Sequence, residues 1–170
     1  MKILETERLV LSELTLDDAE FIFELVNEPA YLRNIGDKGV RNLDGARAYL
    51  RNGPLASYRD HGYGVYRTAL EDGTPIGICG LLKRDHLDAP DVGFAFLAAY
   101  RQQGYGYESA SAVMTYGREV LGMDRILAAV SPHNAGSIRL LEKLGMRFER
   151  TIQMGDEGDV CQLFTTPPSS

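Results

Sequence analysis

A chain of 170 residues is long enough for one domain with a sizeable core. Its formal net charge of −6, with both signs interspersed, argues against a sequence-independent grip on nucleic acid. No long apolar run lacks charge, so no segment is expected to cross a membrane, and Met1-Lys2-Ile3-Leu4-Glu5 lacks the pattern of a secretory leader.

Leu9-Val10-Leu11-Ser12-Glu13-Leu14 reads as a first strand. Thr15 is a helix N-cap, with Asp17 and Asp18 in the first turn and Ala19, Phe21, Ile22, Leu25 and Val26 as the apolar face. Pro29 limits that helix. Residues 30–41 hold Gly36 and Gly39 without a clear period and read as a loop. The stretch from Leu43 to about Tyr58 reads as helical, interrupted at Gly53-Pro54. Residues 64–69 and 75–82 form two strands joined by a hairpin turn at Glu71-Asp72-Gly73-Thr74. Residues 90–97 make the next strand. A helix follows Gly106 to about Val120, with Gly122 near its end. Ile126-Leu127-Ala128-Ala129-Val130 is a short strand of the kind covered on both faces. Asn134 caps a helix carrying Ile138, Leu140, Leu141 and Leu144, and Gly145 stands where a left-handed residue is expected. Residues 148–152 and 160–165 form a final hairpin around Gly155-Asp156-Glu157-Gly158. Residues 1–166 read as one domain, and Pro167-Pro168-Ser169-Ser170 as a disordered tail. An antiparallel meander followed by a β–α–β–α–β half predicts a mixed α/β fold.

Cys79 and Cys161 lack metal-site spacing. Cys79, inside Ile78-Cys79-Gly80-Leu81, reads as a buried inert thiol, and the pair favours a cytoplasmic location. His61, His86 and His133 show no ligand spacing, so no metal is expected.

The most informative stretch is Arg101-Gln102-Gln103-Gly104-Tyr105-Gly106, placed between a strand and a helix. A glycine turn at a helix start gathers free backbone N–H groups at the positive end of the helix dipole, a seat for phosphate. The glycines remove side chains that would hold a pyrophosphate away, and Arg101 adds a cation. No lysine–hydroxyl pair follows, which excludes a P-loop nucleotide hydrolase.

Arg101-x-x-Gly104-x-Gly106, Asn134-x-x-Ser137 and Glu142-Lys143-Leu144-Gly145-Met146-Arg147-Phe148, in this order, resemble the GNAT superfamily of N-acetyltransferases. Leu4-Glu5-Thr6-Glu7-Arg8-Leu9-Val10-Leu11 and Gly104-Tyr105-Gly106-Tyr107-Glu108 resemble its RimJ/RimL branch, which includes enzymes acetylating the N-termini of ribosomal proteins. The resemblance spans nearly the whole chain. It implies a single GNAT-like domain: a mostly antiparallel sheet of about seven strands, splayed in the middle and flanked by about four helices. It implies acetyl-CoA as cosubstrate, with the pantetheine arm along Phe94, Ala95, Phe96 and Leu97. The pyrophosphate lies at Arg101 and the N–H groups of Gln102, Gln103, Gly104, Tyr105, Gly106 and Tyr107, and Asn134 touches the pantetheine.

The reaction so implied joins an acetyl group to an amine. The amine must be neutral, the thioester carbonyl polarised and the thiolate able to leave. An α-amino group, with a pKa of about 7.7–8.0, needs little help, whereas a lysine at about 10.4 needs much more. Positioning and one backbone donor can therefore carry much of the rate. The tyrosine acid of many relatives falls on Leu141, and the glutamate base of some falls on Ala129. RimL-type relatives use the serine matching Ser137 as the acid, which makes Ser137 the acid candidate. Asp91 is a base candidate, beside water relayed to a backbone carbonyl. Glu108 reads first as a helix-start carboxylate, and Tyr100, Tyr105 and Tyr107 as packing and rim residues. Asn34, Asp37 and Arg41 are expected to shape the acceptor pocket.

The acceptor is a small-molecule or peptide amine: a protein N-terminus, a polyamine and an aminoglycoside would each use the same cofactor half. No nucleic acid or membrane partner is expected, and a homodimer is the default assembly. The missing tyrosine and glutamate keep a second reading open, a non-catalytic relative that senses acyl-CoA.

Overall fold

Two clusters of buried side chains pack against opposite faces of one sheet. The computed structural model describes residues 1–154 and 159–167. Its strands are β1 (Lys2–Glu5), β2 (Leu9–Glu13), β3 (Val65–Leu70), β4 (Pro75–Leu82), β5 (Asp91–Phe96), β6 (Leu127–Val130), β7 (Arg147–Met154) and β8 (Asp159–Thr165). They lie in the order β1-β2-β3-β4-β5-β6-β8-β7. Every neighbouring pair is antiparallel except β5–β6. Alternation along β5 shows the two layers: Val92 and Phe96 enter the cluster with Ala110 and Val113, while Ala95 packs with the other cluster beside Ile78.

Six α-helices are described: α1 (Ala19–Val26), α2 (Pro29–Asn34), α3 (Leu43–Asn52), α4 (Pro54–His61), α5 (Tyr105–Glu119) and α6 (Ala135–Lys143). The buried residues of α1 and α3, Ile22, Leu25, Ala46 and Leu50, cover one face. Those of α5 and α6, Ala110, Val113, Met114 and Leu141, cover the other. Thr15 forms a capping box with Asp18 ahead of α1, as its sequence position predicts.

The mixed α/β fold and its open sheet agree with expectation, and the element counts need correction. The eighth strand is β1, four residues with charges at both ends and only half-buried Ile3 and Leu4 between. That is too short to show a period. Residues 30–41 are not all loop, because Pro29 opens α2 at its first position instead of ending a helix. Tyr31 is the buried residue of that helix, and one anchor in six residues leaves no readable pattern. Gly53-Pro54 divides the expected long helix into α3 and α4. The turn proposed at residues 155–158 and the tail beyond Pro167 lie outside the described residues.

Candidate active site

The sheet opens between β5 and β6. Their one bridge joins Asp91 to Leu127, tightened by the Leu127 N–H donating to the Pro90 carbonyl at 2.8 Å. Beyond Asp91, β5 stays paired with β4 through Phe96 and, among the described residues, has no strand partner on its other edge. Phe94, Ala95 and Phe96 therefore border a wedge whose apex is Asp91. An extended ligand arm can take the place of the missing strand there.

At the wide end, a turn of 3₁₀ helix over Ala98–Tyr100 leads into the glycine turn. Gln102 has φ of +63° and Gly104, the N-cap of α5, has φ of +85°. Left-handed geometry at a residue other than glycine costs about 1–2 kcal/mol. Such strain, beside a helix start that no side chain caps, makes a concavity lined by N–H groups. This arrangement suits an anion.

Arg101 is placed differently from its simplest reading. Its Nε and Nη2 donate to the Phe96 carbonyl at 3.0 and 2.9 Å, and Nη2 pairs with Glu28 Oε1 at 3.0 Å. Glu28 Oε1 also accepts from the Ala98 N–H at 3.0 Å. Arg101 thus braces the end of β5 against the α1–α2 corner.

Asn134 caps α6, its Oδ1 accepting the Ser137 N–H at 3.2 Å. Its amide nitrogen remains for a ligand. The Ser137 hydroxyl makes no hydrogen bond to the described residues, unlike Ser109, whose hydroxyl donates to the Tyr105 carbonyl within its own helix. Ser137 is half-buried at the first turn of α6. Leu141 is fully buried in the core, which explains the absence of a polar group there. Ala129 sits in β6 paired to Leu163. Cys79 is buried, and burial pushes its thiol up to about 12, consistent with an inert role.

Asp91 is the most perturbed carboxyl near the wedge. Only 2% of its side chain is exposed, and Arg84 Nε lies 3.2 Å from Oδ1 without the alignment of a hydrogen bond. Burial raises its pKa to about 6, and the Arg84 charge opposes that rise only in part. The same arginine acts on Tyr31 and Tyr49, whose pKa values burial raises and Arg84 pulls down. Helices α2 and α3 thereby bring two phenols toward the guanidinium that faces Asp91. Sequence reading missed Arg84 and both tyrosines, because nothing in their spacing marks them.

Asn34 reaches the wedge through its backbone, its carbonyl accepting the Ser131 hydroxyl at 2.7 Å just past β6. Asp37 and Arg41 engage each other: Arg41 Nη1 donates to Oδ1 at 2.9 Å, and Oδ1 also accepts the Gly39 N–H at 2.8 Å. The pairing with Arg41 holds the Asp37 pKa down at about 2. Both side chains are exposed, and together they fix the loop after α2. No cluster of three potential metal-ligating side chains occurs among the described residues, and none of the helices is long and apolar enough to cross a membrane.

Residues 8–147 match the family model described as an acetyltransferase (GNAT) domain. An uncharacterized N-acetyltransferase of Bacillus subtilis, YoaA, is 30% identical over 155 residues, spanning 89% of this chain and 86% of its own. Another from that organism, YnaD, is 26% identical over 89% of each. A GNAT-family acetyltransferase from Bacillus anthracis has a TM-score of 0.79 at 24% identity over 97% of both chains. RimL, a ribosomal L7/L12 alpha-N-protein acetyltransferase solved in complex with coenzyme A, has a TM-score of 0.82 at 17% identity over 97% of both.

Proposed function

We propose direct acetyl transfer from acetyl-CoA to a primary amine, because this chain belongs to the GNAT acetyltransferase family. The observation that carries the reading is the wedge: an unpaired β5 edge ending in a strained, uncapped glycine turn. The edge at Phe94, Ala95, Phe96 and Leu97 suits the pantetheine arm. The N–H groups of Gln102 to Tyr107 suit the pyrophosphate, and the Asn134 amide suits the arm at the α6 side. When bound, acetyl-CoA supplies an activated acetyl group and a thiol leaving group.

Asp91 receives the proton of the attacking amine, directly or through one water. Its pKa of about 6 leaves it mostly ionised at neutral pH yet more basic than an ordinary carboxylate. Ser137 Oγ gives a proton to the departing thiolate and takes one back from water, as Asp91 returns the amine proton to solvent. Asp91 sits at the closed end of the wedge, and Ser137 stands in the first turn of α6, past the end of β6. Asn34, Asp37 and Arg41 bound the acceptor side. The likeness to RimL supports a protein N-terminus as acceptor, and a weak base suits an α-amino group.

Titration with CoA and steady-state assays on a panel of N-terminal peptides, polyamines and aminoglycosides test this reading. Saturable CoA binding with greatest kcat/KM on peptide α-amines is expected. Equal or better turnover of polyamines would reject the N-terminal acceptor. Replacing Asn34, Asp37 and Arg41 together should raise acceptor KM without changing CoA affinity, and an unchanged KM would remove them from the acceptor side.

A further inference from the structure

The carboxylate of Glu108 stands in the first turn of α5, one residue after the N–H groups assigned to the pyrophosphate. It is only 18% exposed. Three donors from the β1–β2 connection hold it: the Thr6 hydroxyl at 2.5 Å, the Arg8 N–H at 2.9 Å and Arg8 Nε at 2.7 Å. Burial alone would raise the Glu108 pKa, but these hydrogen bonds outweigh it and hold the group below its ordinary value. A fixed negative charge therefore lies beside a seat for two phosphates.

Arg8 answers that charge and reaches the turn itself. Its guanidinium lies 4.3 Å from the centre of the Tyr105 ring. Its Nη2 would stand 3.2 Å from a Cβ added at Gly104, so the arginine packs directly on the N-cap of α5. Nε is used by Glu108, while the Nη atoms make no hydrogen bond to the described residues. Arg101, the cation nearest in sequence, is spent on Glu28 and the Phe96 carbonyl.

We propose that Arg8 is the arginine that serves the cofactor's pyrophosphate, neutralising Glu108 through Nε and offering its Nη atoms to a phosphate oxygen at Gly104. This rests on the reading of the turn as the pyrophosphate seat. It gives the β1–β2 hairpin a part in cofactor binding, although it lies about a hundred residues away in sequence. Phosphate recognition by an arginine fork favours two donors on one face, and Arg8 leaves such a pair open.

Calorimetric titration with CoA and with dephospho-CoA, which keeps the pyrophosphate and lacks the 3′-phosphate, tests the proposal. Arg8→Ala should weaken both ligands by about tenfold, as expected for a lost charge-assisted contact beside an uncompensated carboxylate. The salt dependence of binding should flatten, and acetyl-CoA KM should rise more than kcat falls. Adding Glu108→Gln to Arg8→Ala should recover part of the affinity, because it removes the carboxylate that Arg8 no longer neutralises. If Arg8→Ala unfolds, Arg8→Gln combined with Glu108→Gln removes both charges together and should bind better than Arg8→Gln alone. Unchanged CoA affinity in Arg8→Ala, a loss confined to CoA and absent for dephospho-CoA, or no recovery in the double variants would each overturn the role of Arg8. Wild-type protein that fails to bind CoA would overturn the reading of the turn, and the proposal with it.

Discussion

A carboxyl with 2% of its side chain exposed titrates where its neighbours allow. For Asp91, burial lifts the folded-state pKa to about 6, well above the ordinary carboxylate value of about 3.9, so the folded protein holds the proton more tightly than the unfolded chain. That stabilisation is complete below about pH 4 and is lost as pH rises through about 6, a span worth about 3 kcal/mol. Urea midpoints of the wild type should fall relative to those of Asp91→Asn across this window, and parallel curves would contradict the burial account. With Asp91 as the proposed base, the same titration should set the acidic limb of kcat/KM near pH 6. Asp91→Asn should lose that limb and lower kcat by about 10²-fold or more, the usual scale for a general base. Ser137→Ala should lower kcat by about 10²-fold with CoA affinity unchanged. That Asp91 opens β5 and Ser137 stands in the first turn of α6 was legible in the chain. The burial of Asp91 and its arginine were not, since Arg84 is placed by tertiary packing and not by spacing.

At the scale of elements, the wedge depends on how closely β4 and β5 approach. A Cβ added at Gly77 would stand 2.4 Å from the Ala95 carbonyl oxygen and 2.5 Å from the Phe96 ring. Gly77→Ala must therefore push β5 away along the edge assigned to the pantetheine arm. It should destabilise the protein by about 1–3 kcal/mol and weaken CoA binding as well. Gly136 in α6 meets nothing within 4 Å. Gly136→Ala should leave stability unchanged or raise it by up to about 1 kcal/mol, and equal losses at both glycines would refute the steric argument. Strand β4 was readable from its apolar run, but the reason for Gly77 was not, because the clash is with a neighbour eighteen residues away. The turn at Gly104 was readable because strand, glycines and helix are contiguous. Helix α2 and strand β1 were not, each being too short for its period to show.

Across the whole molecule, the proposed function assigns different parts to the two faces of the sheet. One carries α5 and α6, whose N-terminal turns flank the wedge and suit the acyl donor. The other carries α1 to α3, of which α2 and α3 bring Tyr31 and Tyr49 toward Arg84 in the β4–β5 connection, and on the proposed reading it faces the acceptor. The glycine turn before α5 was legible because its residues are contiguous in sequence, whereas the approach of Tyr31, Tyr49 and Arg84 to one another was not, because they come from two helices and the β4–β5 connection. The most direct test is release of free thiol from acetyl-CoA over a wide panel of amines and N-terminal peptides, with CoA binding measured on the same protein. The account predicts saturable CoA binding and acceptor-dependent thiol release that falls sharply in Asp91→Asn. Saturable binding with no acceptor-dependent release on any amine would contradict it and identify an acyl-CoA sensor instead.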